Sequence, residues 1–294
     1  MFFSPVSYNQ PVFRPPAEAS AAILQVTLGC SWNKCAFCEM YTSKKFKIRP
    51  LKEIKPEIFQ LANTFPKARK IFLADGNAMV LPTEKLTSVL VELKKQFNRV
   101  QRVSSYALPK DLVHKSVREL KELRNLGLKL LYIGIETGDD ELLQWIHKGE
   151  TFNSTVTGIQ KAHEAGIDTS VMIINGLGGR MYSRQHALKS AEIVNFLQPK
   201  FLSTLTLSMP YGQAHFQQRF KGDYQQLSVK ELFEELLLFI RYLDVNHVIY
   251  RSDHVSNNLV LKGVLGKDKE KMIAYLKNAI NKTPENVYPT SSMI

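Results

Sequence analysis

The sequence predicts an α/β fold, an open, partial (β/α)6 barrel with a short N-terminal arm and a C-terminal extension. Two observations lead there. Short apolar, β-branched runs alternate with amphipathic stretches of helical length, the pattern of parallel strands joined by right-handed crossovers. Polar and glycine-rich segments recur where those runs end, the rim on which such barrels gather reactive groups. At 294 residues, one α/β domain accounts for the chain.

Each element has its own reason. Residues 1–20 are proline-rich and aperiodic, an extended arm. Ala22–Leu28 is an apolar run and the first strand. Leu51–Thr64 has helical spacing, and Lys70–Leu73 begins the second strand. Thr83 is placed to cap a helix reaching Phe97, with Glu84 suiting the positive end of its dipole. Val100–Tyr106 is the third strand, and Leu112–Leu126 an amphipathic helix closed by Gly127. Leu128–Glu136 is the fourth strand, followed by helices near Asp139–Ile146 and Asn153–Ala165. Asp168–Ile174 and Phe201–Leu207 are the fifth and sixth strands, with a helix over Ser183–Leu197 between them. Helices at Ser228–Tyr242 and Lys267–Asn281 and a short strand at Asn246–Tyr250 complete the chain. The Leu232–Leu243 run reads as a core-facing helix face. The domain reading is therefore an arm at 1–20, a barrel core at 21–215, and a helical extension at 216–294 completing the substrate side.

Composition narrows the function classes. No run of eighteen apolar residues occurs, so no membrane span is expected. Met1–Pro5 lacks a basic n-region and a long apolar core, so no secretory signal is expected. With an odd cysteine count, these features point to a cytoplasmic protein. Lys plus Arg number 39 against 27 Asp plus Glu, a balance that favours anionic partners. From Lys34 to Lys70 there are ten basic residues and three acidic ones, densest at Lys44–Arg49. That run reads as either a solvated face or a binding surface. There is no RNP-type aromatic motif, so charge alone does not identify a nucleic-acid substrate.

The chain's three cysteines lie within nine residues, Cys30-Ser-Trp-Asn-Lys-Cys35-Ala-Phe-Cys38. An iron–sulfur cubane normally takes four thiolates; three leave one iron open, as catalytic metal sites do. Two other readings stay open. Zinc with Glu39 or His254 as fourth ligand fits the residue types, although zinc sites more often show two separated C-x2-C pairs. A redox pair at Cys35 and Cys38 leaves Cys30 unexplained. The cysteine loop shares its rim with Asp75-Gly76-Asn77, Glu136-Thr137-Gly138 and Asn175–Gly179. Trp32, Tyr106, Arg180, Tyr211 and His254 also fall near this rim, where packing or surface charge explains them as readily as ligand contact.

On these residues the chain resembles the radical SAM superfamily, in particular its Elp3/MiaB/HemN-like branch, from about Arg14 to the helix after Phe201. The Cys35-Ala-Phe-Cys38 ending matches the family's C-x-aromatic-C, while four residues rather than the usual three separate Cys30 from Cys35. The resemblance implies a [4Fe–4S] cluster on Cys30, Cys35 and Cys38, with S-adenosyl-L-methionine (SAM) chelating the fourth iron. Phe37 would pack near the adenine. Asp75, Gly76 and Asn77 stand where the family's Gly-Gly-Glu meets the SAM amino group, without its second glycine or its glutamate. Glu136 resembles the ribose-holding position. Gly176, Gly178 and Gly179 resemble the glycine segment that lets backbone approach the adenosine. Thr206–Pro210, with Met209, resembles the sixth-strand adenine contact.

The implied activity is reductive cleavage of SAM to a 5′-deoxyadenosyl radical that abstracts hydrogen from a substrate, in an oxygen-sensitive enzyme. An acidic reductase such as flavodoxin or ferredoxin would dock on Lys44, Lys45 and Lys47, and the substrate would be a small molecule or RNA. A non-catalytic heme or Fe–S carrier on the same scaffold, a tRNA-modifying enzyme, and a nucleic-acid-binding module with a structural cluster are the competing readings.

Overall fold

The computed structural model describes residues 6–289. Two compact units share the chain. The first takes the N-terminal stretch to Asn33, Cys38–Ile133 and Thr157–Thr169; the second takes Lys34–Phe37, Gly134–Val156 and Ser170 onward.

The first unit opens with β1 (Ala22–Gln25), β2 (Thr27–Leu28), β3 (Lys47–Ile48), α1 (Leu51–Thr64) and β4 (Lys70–Ala74). It continues with α2 (Thr83–Gln96), β5 (Arg102–Tyr106), α3 (Pro109–Val113), α4 (Val117–Asn125) and the start of β6 (Leu128–Glu136). β1 pairs parallel with β4, setting Leu24 opposite Leu73, and β4 pairs parallel with β5. β5 pairs parallel with β6, with an irregularity between Val103 and Ser104 and Tyr106 opposite Tyr132. Parallel strands covered on both faces need continuous apolar runs, and β4 buries Ile71, Phe72, Leu73 and Ala74 in succession. α1 turns Ile54, Ile58, Leu61 and Ala62 inward, and α2 turns Leu86, Val89, Leu90 and Leu93, both at helical spacing. Each such leucine or isoleucine contributes roughly 1.5–3 kcal/mol on full burial.

Three local expectations are corrected here. The first strand ends at Gln25, because Val26 gives its N–H to Ala74 and its carbonyl to Arg49; Thr27–Leu28 then pairs antiparallel with Lys47–Ile48. Thr83 is not a cap. It lies inside the first turn of α2, and its hydroxyl donates to Glu119 at 2.7 Å. The helix expected over 112–126 is two helices, since Ser116 and Glu119 form a capping box that starts α4 afresh. The arm carries a short 3₁₀ turn at Pro16–Glu18, and buried Glu18 is held by Arg102 and by the Tyr132 hydroxyl at 2.8 Å.

The second unit holds the end of β6, α5 (Asp140–Trp145), the start of α6 (Phe152–Glu164) and most of β7 (Asp168–Asn175). After these come α7 (Gly179–Leu197), β8 (Phe201–Thr206), α8 (Gln213–Arg219) and α9 (Val229–Tyr242). The last elements are β9 (Ile249–Ser252), β10 (Leu261–Val264) and α10 (Lys269–Lys282). β7, β8 and β9 pair in parallel and β10 runs antiparallel to β9. From 216 onward the chain carries, besides its helices, β9, which overlaps the short strand expected at Asn246–Tyr250, and β10, which was not expected. The helix α8 was not expected. It exists because Phe216, on its inner face, and Phe220, at its C-terminal cap, pack with Leu142, Ile146, Leu177 and Tyr224 in one apolar cluster.

Candidate functional site

In the first unit, Asp75 leaves the end of β4 and braces the cysteine loop. Its carboxylate is buried and accepts from Lys44 Nζ at 2.7 Å, the Gly29 amide at 3.0 Å and Gln25 Nε2 at 3.3 Å. Its own amide donates to Thr27 Oγ1 at 3.2 Å, and the Gly76 amide donates to the Gly29 carbonyl at 3.1 Å. Gly76 has no room for a side chain: a Cβ there would stand 2.9 Å from both Cys30 Cβ and Tyr41 Cε2. Asn77 accepts from the Met79 amide, starting a 3₁₀ turn, and donates to Ser31 Oγ at 2.9 Å and to Asp111. Asp75 and Asn77 thus fix the loop through bonds that the sequence reading did not assign to them.

Tyr41 closes this side. It is buried, packs edge-on against Phe13 at 5.3 Å between centroids, and its hydroxyl has no hydrogen-bond partner among the described residues. Burial pushes its phenol well above the usual range, and the neighbouring Asp75, Tyr106, Cys30 and Cys38 push it the same way. Lys110 Nζ sits 3.5 Å from the centre of the Trp32 ring. Lys44, expected on an exposed basic face, is instead buried, and it also donates to the Asn9 carbonyl at 2.6 Å. Lys45 and Lys47 are exposed.

In the second unit, Cys35 and Phe37 flank Ala36, whose amide donates to the Ile146 carbonyl at 2.8 Å. Arg219 Nη2 donates to the Cys35 carbonyl at 2.9 Å. Glu136 is buried, and its Oε1 accepts from Lys148 Nζ at 2.7 Å; Lys148 lies 5.8 Å from the centre of the Phe37 ring. The carboxylate fills space that only glycine leaves free, since a Cβ on Gly134 would come within 2.0 Å of Glu136 Oε1.

The glycine segment after β7 has its own support. Gly176, at φ +84°, donates its amide to Glu235 Oε1 at 2.5 Å and accepts the Tyr224 hydroxyl at 3.1 Å. Gly178 and Gly179 open α7. His186 spans the Thr137 hydroxyl at 2.8 Å and the Ile174 carbonyl at 3.0 Å, with Nε2 3.8 Å from Glu235 Oε1. Burial pushes Glu235 up to about 7 and His186 down to about 4, so in the neutral range the histidine is uncharged. Met209 is buried in the apolar cluster beside Leu207, while the Thr206 amide donates to Asn257 Oδ1 at 2.8 Å.

None of the three cysteines forms a disulfide, and all three are half-buried. Among the described residues no three His, Cys, Asp or Glu side chains are grouped as ligands for a single metal ion. No helix among them is long and apolar enough to cross a membrane. Sequence reasoning missed Lys148, Glu235, His186, Arg219 and Tyr41. Only Glu235 left a signal, as a carboxylate at a core-facing position of the apolar Leu232–Leu243 run.

Residues 24–191 match the model of the Radical SAM superfamily. The chain belongs to that superfamily. Two curated proteins match part of it. The heme chaperone HemW of Bacillus subtilis (strain 168) is 24% identical over 128 residues, 43% of this chain and 34% of HemW. A "Probable GTP 3′,8-cyclase" of Archaeoglobus fulgidus is 26% identical over 150 residues, 50% of this chain and 47% of its own length. The chain thus spans between a third and a half of the length of these relatives.

Solved structures agree on the fold. Coproporphyrinogen III oxidase (HemN) of Escherichia coli has a TM-score of 0.59 at 18% identity, over 75% of this chain and 52% of HemN. The methyltransferase TsrM of Kitasatospora setae, solved with tryptophan and a SAM analogue, reaches 0.54 at 19% identity, over 69% of this chain and 41% of TsrM. Methylornithine synthase (PylB) reaches 0.52 at 14% identity, over 92% of this chain and 82% of PylB. The α/β fold with a mostly parallel sheet that the sequence predicted is the fold of these radical SAM proteins.

Proposed function

We propose that this chain is a radical SAM enzyme of the Elp3/MiaB/HemN-like branch, with Cys30, Cys35 and Cys38 holding a [4Fe–4S] cluster beside a bound SAM. The cysteine loop carries the reading. Its three thiols are half-buried and form no disulfide, and buried Asp75 ties the loop's first residues to the end of β4. An all-thiolate donor set suits iron–sulfur chemistry rather than hard cations. HemN and HemW among the similar proteins support the branch.

When bound, the cluster and SAM supply one-electron reductive cleavage of the sulfonium, giving a 5′-deoxyadenosyl radical that takes hydrogen from substrate. The chain's residues hold and orient. Lys44 and Asp75 keep the loop in one geometry. Glu136 offers a carboxylate to the ribose hydroxyls, and Lys148 a cation to the carboxylate of SAM; both sit in a dry setting where such contacts are strong. Glu235 holds the Gly176 amide so that the glycine segment keeps its shape against adenosine, with Phe37 and Met209 supplying apolar contact for the base. The barrel core at 21–215 would bear this site and the stretch from 216 onward the substrate side. A small-molecule substrate, a cytoplasmic location and an acidic reductase docking on Lys45 and Lys47 complete the reading.

Protein reconstituted anaerobically with iron and sulfide, then given dithionite and SAM, is expected to release 5′-deoxyadenosine and methionine. Cys38→Ala is expected to release neither. A second reading, a heme carrier on the same scaffold, is favoured by the match to HemW. Stoichiometric heme binding by cluster-loaded protein that leaves SAM intact would select it over the first.

A further inference from the structure

Tyr41 follows Cys38 by three residues and is pinned from several sides. Its carbonyl accepts from Asn33 Nδ2 and from the Lys44 amide, each at 3.0 Å. Its ring lies edge-on to Phe13, and its Cε2 edge shares with Cys30 Cβ the space above Gly76 that excludes any side chain there. A ring so held has one orientation, and that orientation buries the hydroxyl with no partner among the described residues. Buried phenols nearly always find an acceptor, so an orphan marks a place where something else belongs. The charged and titratable groups facing it are Cys30 and Cys38, Asp75 and Tyr106. Lys44 stands 5.7 Å from the centre of the Tyr41 ring, with its ammonium committed to Asp75 and Asn9.

We propose that the Tyr41 phenol donates a hydrogen bond to sulfur at the cluster, either a ligating thiolate or an inorganic sulfide, and thereby sets how readily the cluster takes an electron. The inference rests on the cluster reading above. Sulfur that carries negative charge is the one acceptor class the cysteine loop would bring to this hydroxyl, and hydrogen bonds to cluster sulfur favour the reduced, more negative state. Phe13 and Gly76 hold the ring; the hydroxyl does the tuning. Tyr41 is a positioning residue in this scheme and touches no reacting atom of a substrate.

The test compares wild type with Tyr41→Phe by iron analysis, by the midpoint potential of the reconstituted cluster, and by proton ENDOR of its reduced form in H2O and D2O. Tyr41→Phe is expected to keep its iron, to shift the potential negative by about 59 mV, a tenfold change for one electron, and to lose one exchangeable proton coupling. An unchanged potential with unchanged couplings would overturn the assignment and place a water between Tyr41 and Asp75 instead. If Tyr41→Phe fails to retain iron, 3-fluorotyrosine at position 41 decides. It occupies nearly the same space and donates more strongly, so the potential should move positive, and no movement would overturn the assignment. A wild-type chain that binds no cluster would fell the cluster reading itself, and this inference with it. A wild-type cluster indistinguishable from that of the variant would fell this inference alone.

Discussion

Each unit buries a lysine–carboxylate pair at 2.7 Å, Lys44–Asp75 in the first and Lys148–Glu136 in the second, and the two are built differently. Asp75 also takes the Gly29 amide and the Gln25 amide group, and Lys44 reaches the Asn9 carbonyl. That pair is the centre of a brace whose carboxylate bonds all run through Asp75 Oδ2 to the chain, while Oδ1 is buried with no hydrogen-bond partner among the described residues. Glu136 sits at φ +64°, a conformation uncommon for a residue with a side chain, and its carboxylate lies over a glycine that makes room for it. Such conformations cluster at functional sites, which accords with the ribose-holding role proposed for Glu136. The contrast teaches that burial and charge pairing alone do not separate architecture from function. What the remaining bonds reach does.

The largest effect should come from the brace. Asp75→Ala leaves Lys44 buried and uncompensated, and a loss of about 3–5 kcal/mol is expected in denaturant unfolding. Lys44→Met combined with Asp75→Leu should recover only part of that loss, since it removes both charges' desolvation costs but leaves the Gly29 amide and the Gln25 amide group without their acceptor. A loss under about 1 kcal/mol for Asp75→Ala would break the contrast from this side.

Glu136→Gln should act differently. The amide oxygen can still accept from Lys148, so stability should fall by about 1 kcal/mol, while SAM affinity of the cluster-loaded protein should weaken about tenfold, or 1.4 kcal/mol. Equilibrium binding of SAM beside an unfolding curve reads both quantities. A large stability loss with unchanged affinity would put Glu136 in the same class as Asp75.

A third buried carboxylate sharpens the contrast through pH. Glu235, pushed up to about 7, keeps its proton when folded and loses it when unfolded, so alone it makes stability fall as pH rises between about 4.5 and 7. His186, pushed down to about 4, stays neutral when folded and is protonated when unfolded below 6.5, so alone it makes stability rise with pH over about 4 to 6.5. The two slopes oppose and cancel across their shared window. Wild type is therefore expected to show no net slope from this pair between about 4.5 and 6.5. Glu235→Gln should expose the His186 slope, approaching about 1.4 kcal/mol per pH unit near the middle of the window. Identical pH profiles for the two proteins would show that the pair does not titrate as a unit.

Most of the fold was legible because it rests on local periodicity. Leu51–Thr64 and Leu128–Glu136 coincide with α1 and β6 end to end. One miss passed over a local signal, the Ser116–Glu119 capping box, in favour of an unbroken pattern, and the other came where a tertiary bond outweighed the pattern. Ser116 restarts a helix inside a continuous amphipathic stretch, and Val26 breaks an apolar run because Ala74 and Arg49 claim its backbone. In the proposed site, the cysteines stand out in the sequence because their spacing is short-range. Lys148, His186 and Tyr41 were not, since what singles them out is a partner, or a missing partner, far away in sequence. Lys44 was misread for the same reason: a charge count does not say which lysine is buried against Asp75.

The activity proposed for this chain is SAM cleavage at its own cysteine loop. Its most direct measurement is 5′-deoxyadenosine formed per cluster, by chromatography, in anaerobic wild type beside Cys38→Ala under dithionite. Nucleoside from the wild type in step with methionine, and none from the variant, is the predicted result. A fully loaded wild-type cluster that leaves SAM intact, or equal yields from both proteins, would contradict it.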